Sequence, residues 1–96
     1  MLVVVTYDVN TETKSGRSRL RHVAKLCVDY GQRVQNSVFE CQLDASTYRL
    51  LKDKLETIID DETDSIRFYS LGDNYRSKIE MLGVSNSYDA EGLLMV

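Results

Sequence analysis

The sequence contains no proline, a single histidine, two cysteines and no long apolar run. Each shortage excludes something. Without proline, low-complexity tracts or internal repeats there is no candidate linker to divide the chain, so residues 1–96 read as one domain. His22 alone gives a zinc site almost no material. Cys27 and Cys41 lack CxxC spacing and read as small buried hydrophobes rather than a redox pair. The apolar run Leu2 to Val5 is shorter than the core of a signal peptide, lacks a basic lead and falls far below membrane-spanning length. The cytoplasm, with no membrane partner, is the expectation. No GxxxxGK[ST], GxGxxG or Gly-x-Ser-x-Gly motif occurs, which excludes P-loop nucleotide hydrolysis and serine hydrolase chemistry. "SVFECQL" also lacks the basic-Gly-aromatic signature of an RNA-recognition sheet.

What is present describes an ordinary folded protein: 96 residues, 43% apolar and 28% charged. A chain this small buries a modest fraction of its surface and often gains from a partner. The net charge of −3 argues against nucleic acid taken alone, but the charges are segregated. Residues 14–33 carry Lys14, Arg17, Arg19, Arg21, Lys25 and Arg33 against Asp29, a balance of +5. Residues 53–64 carry Asp53, Glu56, Asp60, Asp61, Glu62 and Asp64 against Lys54, a balance of −5. An anion is therefore expected to approach one end only.

Leu2 to Asp8 is apolar at both parities as far as Tyr7, the pattern of a strand covered on both faces. A polar loop follows, with Ser15 the expected N-cap of a helix marked by Leu20, Val23, Ala24, Cys27 and Tyr30 and stopped by Gly31. "QRVQNSVFECQL" predicts two short strands around a turn at Gln35-Asn36-Ser37, with Phe39, Cys41 and Leu43 on one face. Asp44 caps a second helix with the stripe Tyr48, Leu51, Leu55, Ile58 and Ile59. "SIRFYSL" predicts another strand and "KIEML" a further short one. The order β-α-β-β-α-β makes an α+β, ferredoxin-like domain with both helices on one face of an antiparallel sheet. Two helices cover one face only, and the most economical cover for the other is the same sheet of a second copy. The tail 84–96, polar and then apolar, is expected to dock on a sheet edge as an extra C-terminal strand.

Asp8 ends the first strand with no second acid beside it. Mg²⁺ prefers about six oxygen ligands, so one carboxylate is a weak site, while a second copy across a two-fold axis would supply another. A plain turn-forming aspartate is the alternative. Arg17, Arg21 and Lys25 form one stripe of the first helix, and basic residues near a helix start oppose its dipole. Phosphate binding would offset that, and a solvated helix face is the alternative. Tyr7 and Phe39 read as core aromatics, with base stacking the alternative.

Taken together, "TYDV" closing the first strand, "GRSRLRHVAKLCVDYG", "RVQNSVFEC" and "IRFYSLG" resemble, in order and spacing from Met1 to about Gly83, the CRISPR-associated protein 2 family. The resemblance implies a ferredoxin-like homodimer with its two sheets face to face and the two Asp8 side chains beside the axis. It implies a divalent-metal-dependent endonuclease acting on double-stranded DNA or single-stranded RNA, with Mg²⁺ or Mn²⁺ held by Asp8 of both subunits, and "RVQNSVFEC" leans toward double-stranded DNA. It also implies a role as the adaptor bridging CRISPR-associated integrase dimers in spacer acquisition, which needs no chemistry. Arg17, Arg19 and Arg33 are the implied nucleic-acid contacts, with Tyr7 and Phe39 in support. A ferredoxin-like domain regulated by a small ligand ranks last, because it gives the +5 cluster no purpose.

Overall fold

A computed structural model describes residues 1–84. β1 (Leu2–Asp8) lies inside a four-stranded antiparallel sheet of order β2-β3-β1-β4, with β2 at Gln32–Gln35, β3 at Val38–Gln42 and β4 at Ser65–Gly72. Helices α1 (Lys14–Tyr30) and α2 (Ala45–Ile58) complete the ferredoxin-like order. Strand side chains alternate between faces. Val3, Val5 and Tyr7 therefore point to one side of β1, where they pack with Phe39 and Cys41 of β3, Val23 and Cys27 of α1, and Leu51 and Leu55 of α2.

The other face of β1 carries Leu2, Val4, Thr6 and Asp8, and its burial falls from complete at Leu2 through half-buried Val4 and Thr6 to exposed Asp8. Leu2 stands opposite Gln42, whose amide donates to the Tyr75 hydroxyl at 2.9 Å, and Tyr75 is itself buried. The segment after β4 thus lies over the Leu2 end of this face and leaves the Asp8 end open.

The first helix is capped two residues earlier than expected. Thr13, not Ser15, is the N-cap: its hydroxyl accepts the Gly16 N–H at 2.9 Å. Gly16 is buried, and a Cβ there would strike the Asn10 carbonyl, so this turn fits the loop only without a side chain. At the other end the backbone of Gly31 is extended and its N–H donates to the Cys27 carbonyl at 2.8 Å. Glycine is required there for closeness, because a Cβ would collide with the Cys41 sulfur and the Glu40 carbonyl. Asp44 caps α2 as expected, accepting the Thr47 N–H at 2.7 Å. The turn between β2 and β3 falls at Asn36 and Ser37.

"KIEML" is not a strand. Gly72 turns the chain out of β4 at φ +74, and a 3₁₀ turn over Arg76–Lys78 follows the buried Tyr75. Residues 79–84 have no regular structure, and Met81 and Leu82 stand exposed. The apolar alternation was real, but the turn directs this stretch away from the sheet, and alternation without a partner strand makes no ladder. The expected tail strand falls on residues that, apart from exposed Val84, lie outside those described. Among the described residues no helix is long and apolar enough to cross a membrane.

Candidate metal and nucleic-acid site

Asp8 is the last residue of β1, opposite Ser65 and on the sheet face away from the helices. Register places Thr6 and Arg67 as the next pair on that face, then Val4 and Tyr69. Arg67 donates to the Tyr69 hydroxyl at 3.3 Å, while the Asp8 carboxylate has no hydrogen bond or ion pair among the described residues. Nor do the described residues hold any group of three His, Cys, Asp or Glu side chains able to bind a metal. One chain therefore offers a single exposed carboxylate.

The loop after Asp8 is fastened by a residue that sequence reasoning missed. The Asp64 side chain is wholly buried at the threshold of β4. One of its oxygens, Oδ2, accepts from Arg19 Nε at 2.8 Å and from the Asp60 N–H at 2.9 Å. Oδ1 accepts from the Asn10 N–H at 3.0 Å and the Thr63 hydroxyl at 3.1 Å. Burial by itself would push this carboxyl up, but the Arg19 guanidinium, with the Asp60 and Asn10 amides and the Thr63 hydroxyl, holds it well below the usual carboxylate range. Arg19 also donates to the Ser15 hydroxyl at 2.9 Å, which pins α1 to the same point. In sequence Asp64 is one acid in a block of acids, and nothing local separates it from its solvated neighbours.

The expected phosphate ligands are thus unequal. Arg19 is committed to Asp64. Arg17, Arg21 and Lys25 are exposed along α1, with Arg17 Nη1 donating to the Thr11 carbonyl at 3.2 Å and Lys25 loosely paired with Asp29 at 3.8 Å. Arg33 is exposed on edge strand β2, its guanidinium 5.1 Å from the centre of the Phe39 ring. Phe39 is wholly buried and Tyr7 nearly so, their rings stacked 6.1 Å apart. A ring with no exposed face cannot receive a base, so Phe39 serves as the floor beneath Arg33. Burial raises the Tyr7 phenol, with hydrogen bonding to Arg33 pulling the other way. The acidic turn 60–64 meets the start of α1 through Arg19 and Asp64.

The family model for CRISPR associated protein Cas2 matches residues 1–79. The chain belongs to that family. Among Cas2 relatives, the CRISPR-associated endonuclease Cas2 of Halalkalibacterium halodurans is 53% identical over 95 residues, covering 99% of each chain. The CRISPR-associated endoribonuclease Cas2 of Chlorobaculum tepidum is 52% identical over 96 residues and the whole of both chains. The crystal structure of Streptococcus pyogenes Cas2 superposes with a TM-score of 0.75 at 65% identity, covering 86% of this chain and all of that one. The Cas2 fold thus accounts for the sheet order and both helices.

Proposed function

We propose that this Cas2 family member is a cytoplasmic CRISPR-associated endonuclease that cleaves phosphodiester bonds as a homodimer, with Asp8 of both copies at its centre. The observation that carries the proposal is the Asp8 carboxylate itself: exposed, without a partner among the described residues, and held at the rim of a sheet face that the helices leave uncovered. Val4, Thr6 and Val38 are half-buried on that face, and Tyr69 is 46% exposed, a surface suited to a second copy. Two copies of Asp8 would repel across the axis unless a cation lay between them.

The donor set fits a hard divalent ion, since paired carboxylates are oxygen ligands of the kind that Mg²⁺ or Mn²⁺ takes alongside water. Asp8 of both copies would hold such an ion, which when bound would supply polarisation of a phosphate and a lowered pKa for a bound water. This chain's own part is to present the carboxylates and to neutralise flanking phosphates through Arg17 and Arg33. Titrating Mg²⁺ and Mn²⁺ against double-stranded DNA and single-stranded RNA, with chelator as control, tests the reading. Cleavage that rises with metal supports it, and cleavage indifferent to chelator contradicts it. Duplex DNA and single-stranded RNA are both substrates that this reading allows.

One observation favours a second reading, a non-catalytic adaptor that holds DNA for a CRISPR-associated integrase in spacer acquisition. The stripe Arg17, Arg21 and Lys25 belongs to α1, on the opposite side of the sheet from Asp8. Phosphates can therefore be bound without the carboxylate. The small-ligand reading has less support, because the groove between α2 and β4, lined by Leu55, Ile59, Ile66 and Phe68, holds about 170 Å³, whereas ligand pockets run from roughly 300 Å³.

A further inference from the structure

We infer that Asp64 is the positioning residue for Asp8, and that Arg19 acts through Asp64 as a strut rather than as a phosphate ligand. This rests on the nuclease reading for its catalytic consequence, though the geometry stands independently. Asp8 ends a strand, where a ladder ordinarily frays, yet the backbone is held on both sides of it. Its cross-strand partner Ser65 directly follows Asp64, and the Asn10 N–H, two residues beyond Asp8, donates to Asp64 Oδ1 at 3.0 Å.

Asn10 has further restraints. Its side-chain oxygen accepts the Glu12 N–H at 2.9 Å, and its carbonyl lies against buried Gly16. Arg19 joins this point to α1, and the Asp60 amide joins it to the turn after α2. One buried carboxylate thus gathers four segments of chain around the strand end that bears Asp8. The Arg19 guanidinium meets the carboxylate edge-on through Nε, with Nη1 on Ser15, and Nη2 reaches Asp64 and Thr63 at 3.5 Å, so its donors already face protein atoms. A phosphate would have to displace a buried partner, whereas Arg17 and Arg33 are exposed.

The test compares Arg17→Ala, Arg19→Ala, Arg19→Lys, Asp64→Asn and the double variant Arg19→Ala/Asp64→Asn in the full chain. Three quantities are measured: the slope of log K against log salt for a DNA duplex, kcat and KM for cleavage, and hydrogen exchange of the Asn10 amide. Arg17→Ala should lower the slope by about one, while Arg19→Ala and Asp64→Asn leave it unchanged. Both of the latter should speed Asn10 exchange at least about tenfold and lower kcat by roughly 10- to 100-fold with little change in KM, as misplacement of a reacting group does. The double variant should lose no more than either single one, and Arg19→Lys should recover part of the loss.

A slope lowered by about one in Arg19→Ala, unchanged Asn10 exchange, or losses in kcat that multiply in the double variant would overturn the inference. If Asp64→Asn does not fold, Arg19→Ala and Arg19→Lys carry the slope and exchange comparison. Absence of metal-dependent cleavage in the unsubstituted chain would remove the nuclease reading, and the strut would then stand or fall on slope and exchange alone.

Discussion

A carboxylate taken out of water is stable as an anion only where donors replace the hydration it lost, and Asp64 has a guanidinium, two backbone amides and a hydroxyl. Its folded-state pKa lies below the unfolded value of about 4, so its contribution to stability is fully present above about pH 4 and is lost as pH falls below that. Asp64→Asn should therefore lower the Tm near neutrality and flatten its decline between about pH 5 and pH 2, measured by thermal melts. A decline as steep as that of the unsubstituted chain would contradict this. The two thiols show the opposite shift. Burial, with a further contribution from its neighbour Cys41, pushes Cys27 up to about 12, and burial, followed by the nearby Glu40 charge, pushes Cys41 up to about 11. Both thiols are buried and their pKa values raised, so iodoacetamide at pH 8 should leave the native protein unlabelled while labelling both thiols after unfolding. Rapid native labelling would contradict it. At this scale the sequence was half legible. Buried thiols follow from apolar spacing, as does Asp8 at a strand end, but the partnership of Arg19 with Asp64 spans 45 positions and no local pattern announces it.

The elements were the most legible level, because each has a period and a stop. β1, the β2–β3 hairpin, α2 with its Asp44 cap, and β4 all follow from alternation, helical spacing and turn residues. Two failures share a cause, since each depends on contacts beyond the element. α1 starts at Lys14 because Thr13 reaches the Gly16 amide and Gly16 fits beneath the Asn10 carbonyl, which Ser15 as a cap could not achieve. "KIEML" alternates like a strand but follows a turn that leads it away from the sheet. The Gly31 stop held for a reason other than left-handed backbone: the helix end approaches β3 too closely for any side chain. Gly31→Ala should thus act as overpacking, costing about 1–3 kcal/mol and lowering Tm by roughly 4–8 °C per kcal/mol. An unchanged Tm would show that the junction of α1 and β3 yields more readily than this packing implies.

For the whole molecule, the proposal joins two facts that one chain leaves unrelated: a sheet face without helices and a carboxylate without a partner among the described residues. A second copy would answer both. Sedimentation at micromolar concentration should give twice the 11.0 kDa chain mass, and a monomer across that range would remove the shared site. The resemblance read from the sequence extends to the family, and the family match over residues 1–79 bears it out. The chemistry is harder to read from one chain, since in the proposed dimer the ligand set would be completed only by symmetry. The most direct test is metal-dependent cleavage of a DNA duplex by purified Asp8→Asn, a substitution that keeps shape while weakening a hard-cation ligand. Cleavage should vanish at every Mg²⁺ and Mn²⁺ concentration while the salt slope of duplex binding stays unchanged. Cleavage persisting in that variant at the unsubstituted rate would contradict the account.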